Sequence, residues 1–177
     1  SIMVPLVTCV KVVRDVKALV EKIKTELDSE GVSYDKNIKV GIMVATPAAS
    51  AIADLLAKEA DFFSIGTNDL TQYTMAVDRG NSKVAYLYSV FNPAVLRSLK
   101  RIIGAAKQEN IMVGMCGEAA ADQLLTPVLI SFGLEEFSVS AGSVLATRAA
   151  ICKWSKADAD AVTQKVMECA TQEEVIE

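Results

Sequence analysis

The segment SIGTNDLTQYTMAVDRGN, residues 64–81, carries the side chains best suited to chemistry. An apolar run from Phe62 to Ile65 stops at Gly66; Asn68 and Asp69 follow at once, and Arg79 stands ten residues after Asp69. Asp69 is a hard oxygen donor of the kind that holds Mg²⁺ or Mn²⁺. Asn68 and Arg79 can hold a phosphate or a carboxylate, the arginine through two parallel hydrogen bonds. Cys116, in GMCGE at the end of another apolar run, can give or take a proton. Each residue also has a plainer reading. Asn-Asp after glycine is ordinary turn chemistry. Arg79 in DRGN reads as a solvated loop charge, Cys116 as an inert core thiol and Glu118 as a helix cap. Residue types and spacing leave both readings open.

Composition narrows the chemistry. The 177 residues include no histidine. That excludes Ser-His-Asp and Cys-His catalysis, a three-histidine metal site and a phosphohistidine on this chain. The four cysteines, Cys9, Cys116, Cys152 and Cys169, form no C-x-x-C pair, so neither a zinc knuckle nor a redox motif is indicated. The net charge is −4 without a basic block, which argues against nucleic acid or an anionic membrane as partner. No apolar window approaches the ~18 residues of a membrane span. The opening SIMVPLVTCVKVVRD lacks the pattern of a signal peptide. A cytoplasmic protein with reduced thiols is expected.

The elements that must position these residues follow from pattern. Ile2–Val7, Val40–Val44, Phe62–Ile65, Ile111–Cys116 and Phe137–Val139 are short, continuous apolar runs, the signature of strands buried on both faces of a parallel sheet. Between them, Val10–Leu27 carries Val13, Val16, Leu19, Val20 and Ile23 at helical spacing. Thr46-Pro47 and Asn92-Pro93 read as N-caps followed by proline. Ser155 with Asp158 resembles a capping box ahead of a last helix near Ala157–Cys169. Asp28–Lys36 reads as a surface loop, and Met112, Met115, Phe132 and Leu134 as core. Alternating strands and helices imply right-handed parallel β/α units, in an open doubly wound sheet or a (β/α)₈ barrel. No G-x-G-x-x-G follows a strand, which weakens the dinucleotide fold. A full barrel takes about 250 residues. In either fold the strand C-terminal ends, with Ala45-Thr46, Asn68-Asp69, Cys116-Gly117-Glu118 and Ser140-Ala141, gather at one side.

The long motifs DFFSIGTNDLTQYTMAVDRGN, NPAVLRSLKRIIGAAKQENIMVGMCGEAAAD and FGLEEFSVSAGSVLATRAAI closely resemble enzyme I of the phosphoenolpyruvate-dependent sugar phosphotransferase system. The resemblance runs through nearly all of Ile2–Ile151. Pyruvate phosphate dikinase and phosphoenolpyruvate synthase share the G-[TS]-N-D-L-T-Q core, but the YTMAVDRGN continuation is closer to enzyme I. The resemblance implies an α/β chain: a parallel (β/α) barrel of the phosphoenolpyruvate/pyruvate type. Residues 1–177 would be the C-terminal portion of that domain, with about five of eight β/α units. It implies a homodimer that binds phosphoenolpyruvate and Mg²⁺ and passes the phosphoryl group to a histidine on a separate N-terminal domain. From there the group goes to a small phosphocarrier protein and on to sugars for uptake. By motif, Asp69 resembles a metal ligand, Asn68, Asp69 and Arg79 substrate contacts, and Cys116 the proton donor that turns enolpyruvate into pyruvate.

The chain departs from the family pattern in places. Where the family reads G-[IV]-M-[IV]-E-x-P, with a metal-binding glutamate, this chain reads GIMVATP with Ala45. Mg²⁺ binding is therefore expected to be weakened or lost. The resemblance implies further strands with substrate-binding arginines and a histidine domain, which residues 1–177 are not expected to supply. GEAAAD replaces a GE-L/M-AGD pattern. The chain alone is expected to be inactive in phosphotransfer. The alternative is a degenerate or truncated non-catalytic paralogue serving as a binding or dimerisation module. A lyase on the same barrel is a third reading, disfavoured by TQYTMAVDRGN.

Overall fold

A computed structural model describes residues 1–177. In chain order the elements are β1 (Ile2–Val4), α1 (Val10–Glu30), β2 (Val40–Val44), α2 (Pro47–Ala51), α3 (Ala53–Ala57), β3 (Phe62–Gly66), α4 (Thr67–Met75), α5 (Pro93–Gln108), β4 (Met112–Cys116), α6 (Thr126–Phe132), β5 (Glu136–Phe137), α7 (Val144–Cys152), α8 (Lys156–Val166) and α9 (Gln172–Ile176). Short 3-10 turns lie at Ala85–Leu87, Glu118–Ala121 and Ala141–Ser143. No helix is long and apolar enough to cross a membrane.

The five strands form one sheet in the order β1-β2-β3-β4-β5, every pairing parallel. That order separates the two candidate folds. A doubly wound sheet reverses direction at a switch point, whereas a barrel adds each strand beside the last. The sheet is a five-unit stretch of a (β/α) barrel, as expected from the sequence. β1 and β5 each have a single neighbour, which leaves two open edges.

Local chemistry explains most boundaries. The Thr46 side chain accepts the Ala49 N–H at 3.1 Å, and Asn92 accepts the Ala94 N–H at 2.9 Å, so both proline-marked caps form. α1 runs past the expected Leu27 to Glu30, where Gly31 ends it in the left-handed region at φ 67°; the surface loop therefore starts later than Asp28. β1 stops at Val4, short of the expected Val7, and Leu6 at φ 48° leaves the extended region. The last long helix ends at Val166 rather than Cys169, and α9 was not expected. Ser155 accepts the Asp158 N–H at 3.1 Å and donates to its carboxylate at 2.6 Å, so that box closes side chain to side chain.

The core lies between the outer face of the sheet and the helices. Ile42 and Val44 of β2, Phe63 and Ile65 of β3, and Val113 and Met115 of β4 pack there against Leu96, Leu99, Ile103 and Leu129. Each such side chain contributes about 1.5–3 kcal/mol relative to exposure. The other face differs from the sequence expectation. Met3 is 42% exposed and Met112 38%, while Met115, Phe132 and Leu134 are buried. Five strands do not close a ring, so the concave face meets no opposing strands and Met112 is not core.

Asp61 ties the start of β2 to β3. Its carboxylate accepts the Val40 N–H at 2.6 Å while its own N–H donates to the Val40 carbonyl at 3.0 Å. Lys17 of α1 pairs with the same carboxylate at 3.2 Å. Replacing Asp61 with Ala leaves the N–H of buried Val40 unpaired and should cost about 1–3 kcal/mol in urea unfolding. Lys17→Ala breaks only a solvent-screened pair and should cost about 1 kcal/mol or less.

Candidate functional site

β3 ends at Gly66, and α4 begins with Thr67, Asn68 and Asp69, so the asparagine and aspartate occupy the first helical turn rather than a loop. A carboxylate in that position is favoured by about 0.3–1 kcal/mol, because the helix N-terminus is partially positive. α4 ends at Met75, where Ala76 turns the chain back in the left-handed region at φ 52°. The Val77 N–H closes the turn on the Gln72 carbonyl at 3.1 Å. That reversal returns Arg79 to the start of the helix. Its backbone N–H donates to the Gln72 side chain at 3.2 Å, and its guanidinium donates to the Asp69 carboxylate at 3.0 Å.

β4 delivers the second half of the site. Gly66 and Cys116 are register partners at the ends of β3 and β4. Beyond them the chains are stitched together: the Thr67 hydroxyl donates to the Cys116 carbonyl at 3.0 Å, and the Glu118 N–H donates to the Asn68 side-chain oxygen at 3.2 Å. The latter bond fixes which end of the Asn68 amide faces Glu118 and leaves the NH₂ donors free for a ligand. Gly117 lies between, at φ +101°; a Cβ there would come within 2.5 Å of the Thr67 hydroxyl and 2.9 Å of the Asn68 oxygen. Only glycine permits both that backbone and that approach. Tyr88 donates to the Asn68 carbonyl at 3.3 Å. Burial raises its phenol above the ordinary value, against the pull of the Arg79 charge. A cleft of about 130 Å³ opens among Asn68, Thr71, Tyr88, Glu118 and Asp122. The Cys116 sulfur lies 3.6 Å from the Ile65 carbonyl and 3.7 Å from the Ser64 hydroxyl.

Ala45 follows β2 and is fully buried. Its methyl group would lie 3.0 Å from a Cβ at Gly66, so it abuts the corner between β3 and α4. Asn68, Asp69 and Arg79 are thus brought together at the start of α4, and Ala45 and Cys116 stand at the same end of the sheet, with the Asn68 cleft and the Cys116 cavity lined by different residues. Ser64, Thr67 and Tyr88 join them without having been singled out in the sequence, and Gly117, placed at the strand end by the sequence, had no role assigned. For Gly117 a signal existed, as a glycine between a cysteine and a glutamate; for Ser64, inside an apolar run, none did. A more apolar cavity of about 460 Å³ lies elsewhere, around Phe91, Leu124, Trp154 and Val166, and none of these site residues lines it.

The side chains present do not fit a resident Mg²⁺. Asp69, Glu118 and Asp122 stand near the corner but do not converge: an Asp69 oxygen is engaged by Arg79, while Glu118 and Asp122 line the cleft at Asn68. The Asn68 oxygen is taken by Glu118, and position 45 offers a methyl group. No three acidic, cysteine or histidine side chains cluster in the chain. The hydrogen-bond donors at this corner are the Arg79 guanidinium and the Asn68 NH₂ group.

Comparison with known proteins agrees with this architecture. The family profile described as "PEP-utilising enzyme, PEP-binding domain" matches residues 1–156. The chain is 46% identical to a phosphoenolpyruvate-protein phosphotransferase of Staphylococcus carnosus (strain TM300), over 100% of this chain and 31% of that protein. It is 48% identical to the protein of the same name from Priestia megaterium, over 100% of this chain and 31% of that protein. For the one from Streptococcus equinus the identity is 49%, over 99% of this chain and 31% of that protein. The chain therefore spans about a third of the length of the curated relatives it matches.

Gly117→Ala should destabilise the fold by about 1–3 kcal/mol, since it forces a side chain into the left-handed region against two polar atoms. Gly104→Ala, in α5 with nothing within 4 Å of the new methyl group, should instead stabilise by about 0.5–1 kcal/mol. Paired thermal and urea unfolding reads the opposite signs.

Proposed function

This chain belongs to the PEP-binding domain family of the PEP-utilising enzymes, and from that premise we propose that residues 1–177 form the C-terminal portion of the phosphoenolpyruvate-binding barrel of a phosphoenolpyruvate-protein phosphotransferase. The observation that carries this reading is the placement of Asn68, Asp69, Arg79 and Cys116 at one end of β3 and β4. The names of the relatives support the substrate and the reaction class.

In this reading Arg79 and the Asn68 NH₂ group hold the phosphate and carboxylate oxygens of phosphoenolpyruvate. Asp69 orients the guanidinium through its ion pair. Phosphoryl transfer depends mostly on positioning and charge neutralisation, and these two donors supply part of both. The acceptor is a histidine on another domain, since this chain has none. As the bond between phosphorus and the enol oxygen breaks, its electron pair stays on that oxygen as an enolate. The Cys116 S–H then gives its proton to the enolate methylene carbon. A C–H bond forms, the S–H electron pair stays on sulfur, pyruvate leaves, and water reprotonates the thiolate. A small phosphocarrier protein would receive the group next, in a homodimeric cytoplasmic enzyme serving sugar uptake.

Ala45 favours a second reading. A chain that lacks the glutamate of its family pattern can keep the fold as a non-catalytic binding or dimerisation module. In both readings the isolated chain does not transfer phosphate.

Calorimetric titration of the chain with phosphoenolpyruvate, with and without Mg²⁺, tests the reading. The unmodified chain should bind no tighter than millimolar, and Mg²⁺ should add little. Ala45→Glu restores a carboxylate beside Asp69 and should tighten Mg²⁺-dependent binding roughly 10- to 100-fold, the worth of one charge-assisted contact. Sub-millimolar, Mg²⁺-dependent binding by the unmodified chain would show that the missing carboxylate is dispensable. Adding Arg79→Ala to the glutamate variant should reverse the gain by a similar factor; if binding is unmoved, the phosphoenolpyruvate site is elsewhere.

A further inference from the structure

We propose that Ser64 is a positioning residue for Cys116, holding the thiol and donating to the sulfur once its proton has left. The inference deepens the proton-donor role proposed for Cys116 and rests on it. Residues 64, 66, 114 and 116 share the concave face, because side chains alternate along a strand. Gly66 is the register partner of Cys116, and Gly114 that of Ser64. The cysteine is therefore flanked on the β3 side and along its own strand by residues without side chains, with Ser138 toward β5. The polar side chain bonded to it on that face is the Ser64 hydroxyl, 3.7 Å from the sulfur. Ser64 and Cys116 line one cavity of about 330 Å³ along the concave face, together with Lys39, Glu136 and Ser138.

The two hydrogen bonds of the sulfur divide the labour. The S–H donates to the Ile65 carbonyl at 3.6 Å, which orients the proton. The Ser64 O–H donates to sulfur, and that bond outlasts proton loss because a thiolate is an acceptor only. A hydrogen bond made to the charged form favours that form. Ser64 thus stays bonded to the sulfur through the transfer while touching neither the proton nor the substrate.

Alkylation of Cys116 by iodoacetamide at one fixed pH reads this directly, because the thiolate is the nucleophile. Rates are followed by peptide-resolved mass spectrometry on the intact chain, with exposed Cys9 and Cys152 as internal references. Ser64→Ala should slow Cys116 about ten-fold and leave the references unchanged. Steric access works the other way: a smaller side chain, or a loosened fold, would speed the reaction. Ser64→Thr keeps a hydroxyl and should restore the rate; Ser138→Ala should leave it unchanged. An unchanged or faster Cys116 in Ser64→Ala, a failure of threonine to restore, or an equal slowing by Ser138→Ala overturns the proposal. None of these readings requires phosphoenolpyruvate to bind, so failure of the proposed function and failure of the Ser64 role are separately visible.

Discussion

The backbone at Gly117 lets the ends of β3 and β4 meet closely, and the residues proposed to handle the anion are placed by that meeting. With φ at +101° and no side chain, Gly117 allows the Thr67 hydroxyl to reach the Cys116 carbonyl and the Glu118 N–H to reach Asn68. The first bond ties α4 to the strand that carries the thiol. The second decides which atoms of Asn68 remain available. The parallel register supplies the rest, since Gly66 opposite Cys116 leaves the sulfur accessible from the concave side.

Arg79 is the cation paired with Asp69 at this corner. The Asp69–Arg79 pair is partly exposed, with 33% and 42% of the side chains accessible. Pairs of that kind contribute about 0–1 kcal/mol, less than one or two charge-assisted bonds from arginine to phosphate at about 1.5–3 kcal/mol each. An anionic ligand can therefore share the guanidinium with Asp69 at little cost. A buried methyl group at Ala45 leaves Asp69 without the second carboxylate of the family pattern.

What could be read from the sequence divides along physical lines. Thr46-Pro47 and Asn92-Pro93 were legible because a cap is a local event, settled by a side chain and a backbone N–H two or three residues on. The short helix at the C-terminus was missed although Thr171 and Glu174 mark it, the threonine accepting the Glu174 N–H at 3.3 Å; its charged sequence hid it from an apolar-period reading. Met112 was misassigned because a continuous apolar run does not say which sheet face is covered. Asn68, Asp69 and Arg79 were suspected from type and spacing, but the chain reversal at Ala76 that joins them has no sequence signal, alanine being an uncommon residue at positive φ. Ala45 had meaning only against the family pattern, and Ser64 only once the strands were in register.

The C-terminal ends of β3 and β4 are proposed to form an anion site for phosphoenolpyruvate. Heteronuclear NMR of the ¹⁵N-labelled chain, titrated with phosphoenolpyruvate into the millimolar range without metal, tests it most directly. The result expected is a saturable shift of the Gly117 and Glu118 amides, the Asn68 side-chain NH₂ and the Arg79 guanidinium, with the signals around Trp154 unmoved. Signals at those four positions that stay fixed while others shift, or that shift equally with chloride, would contradict it.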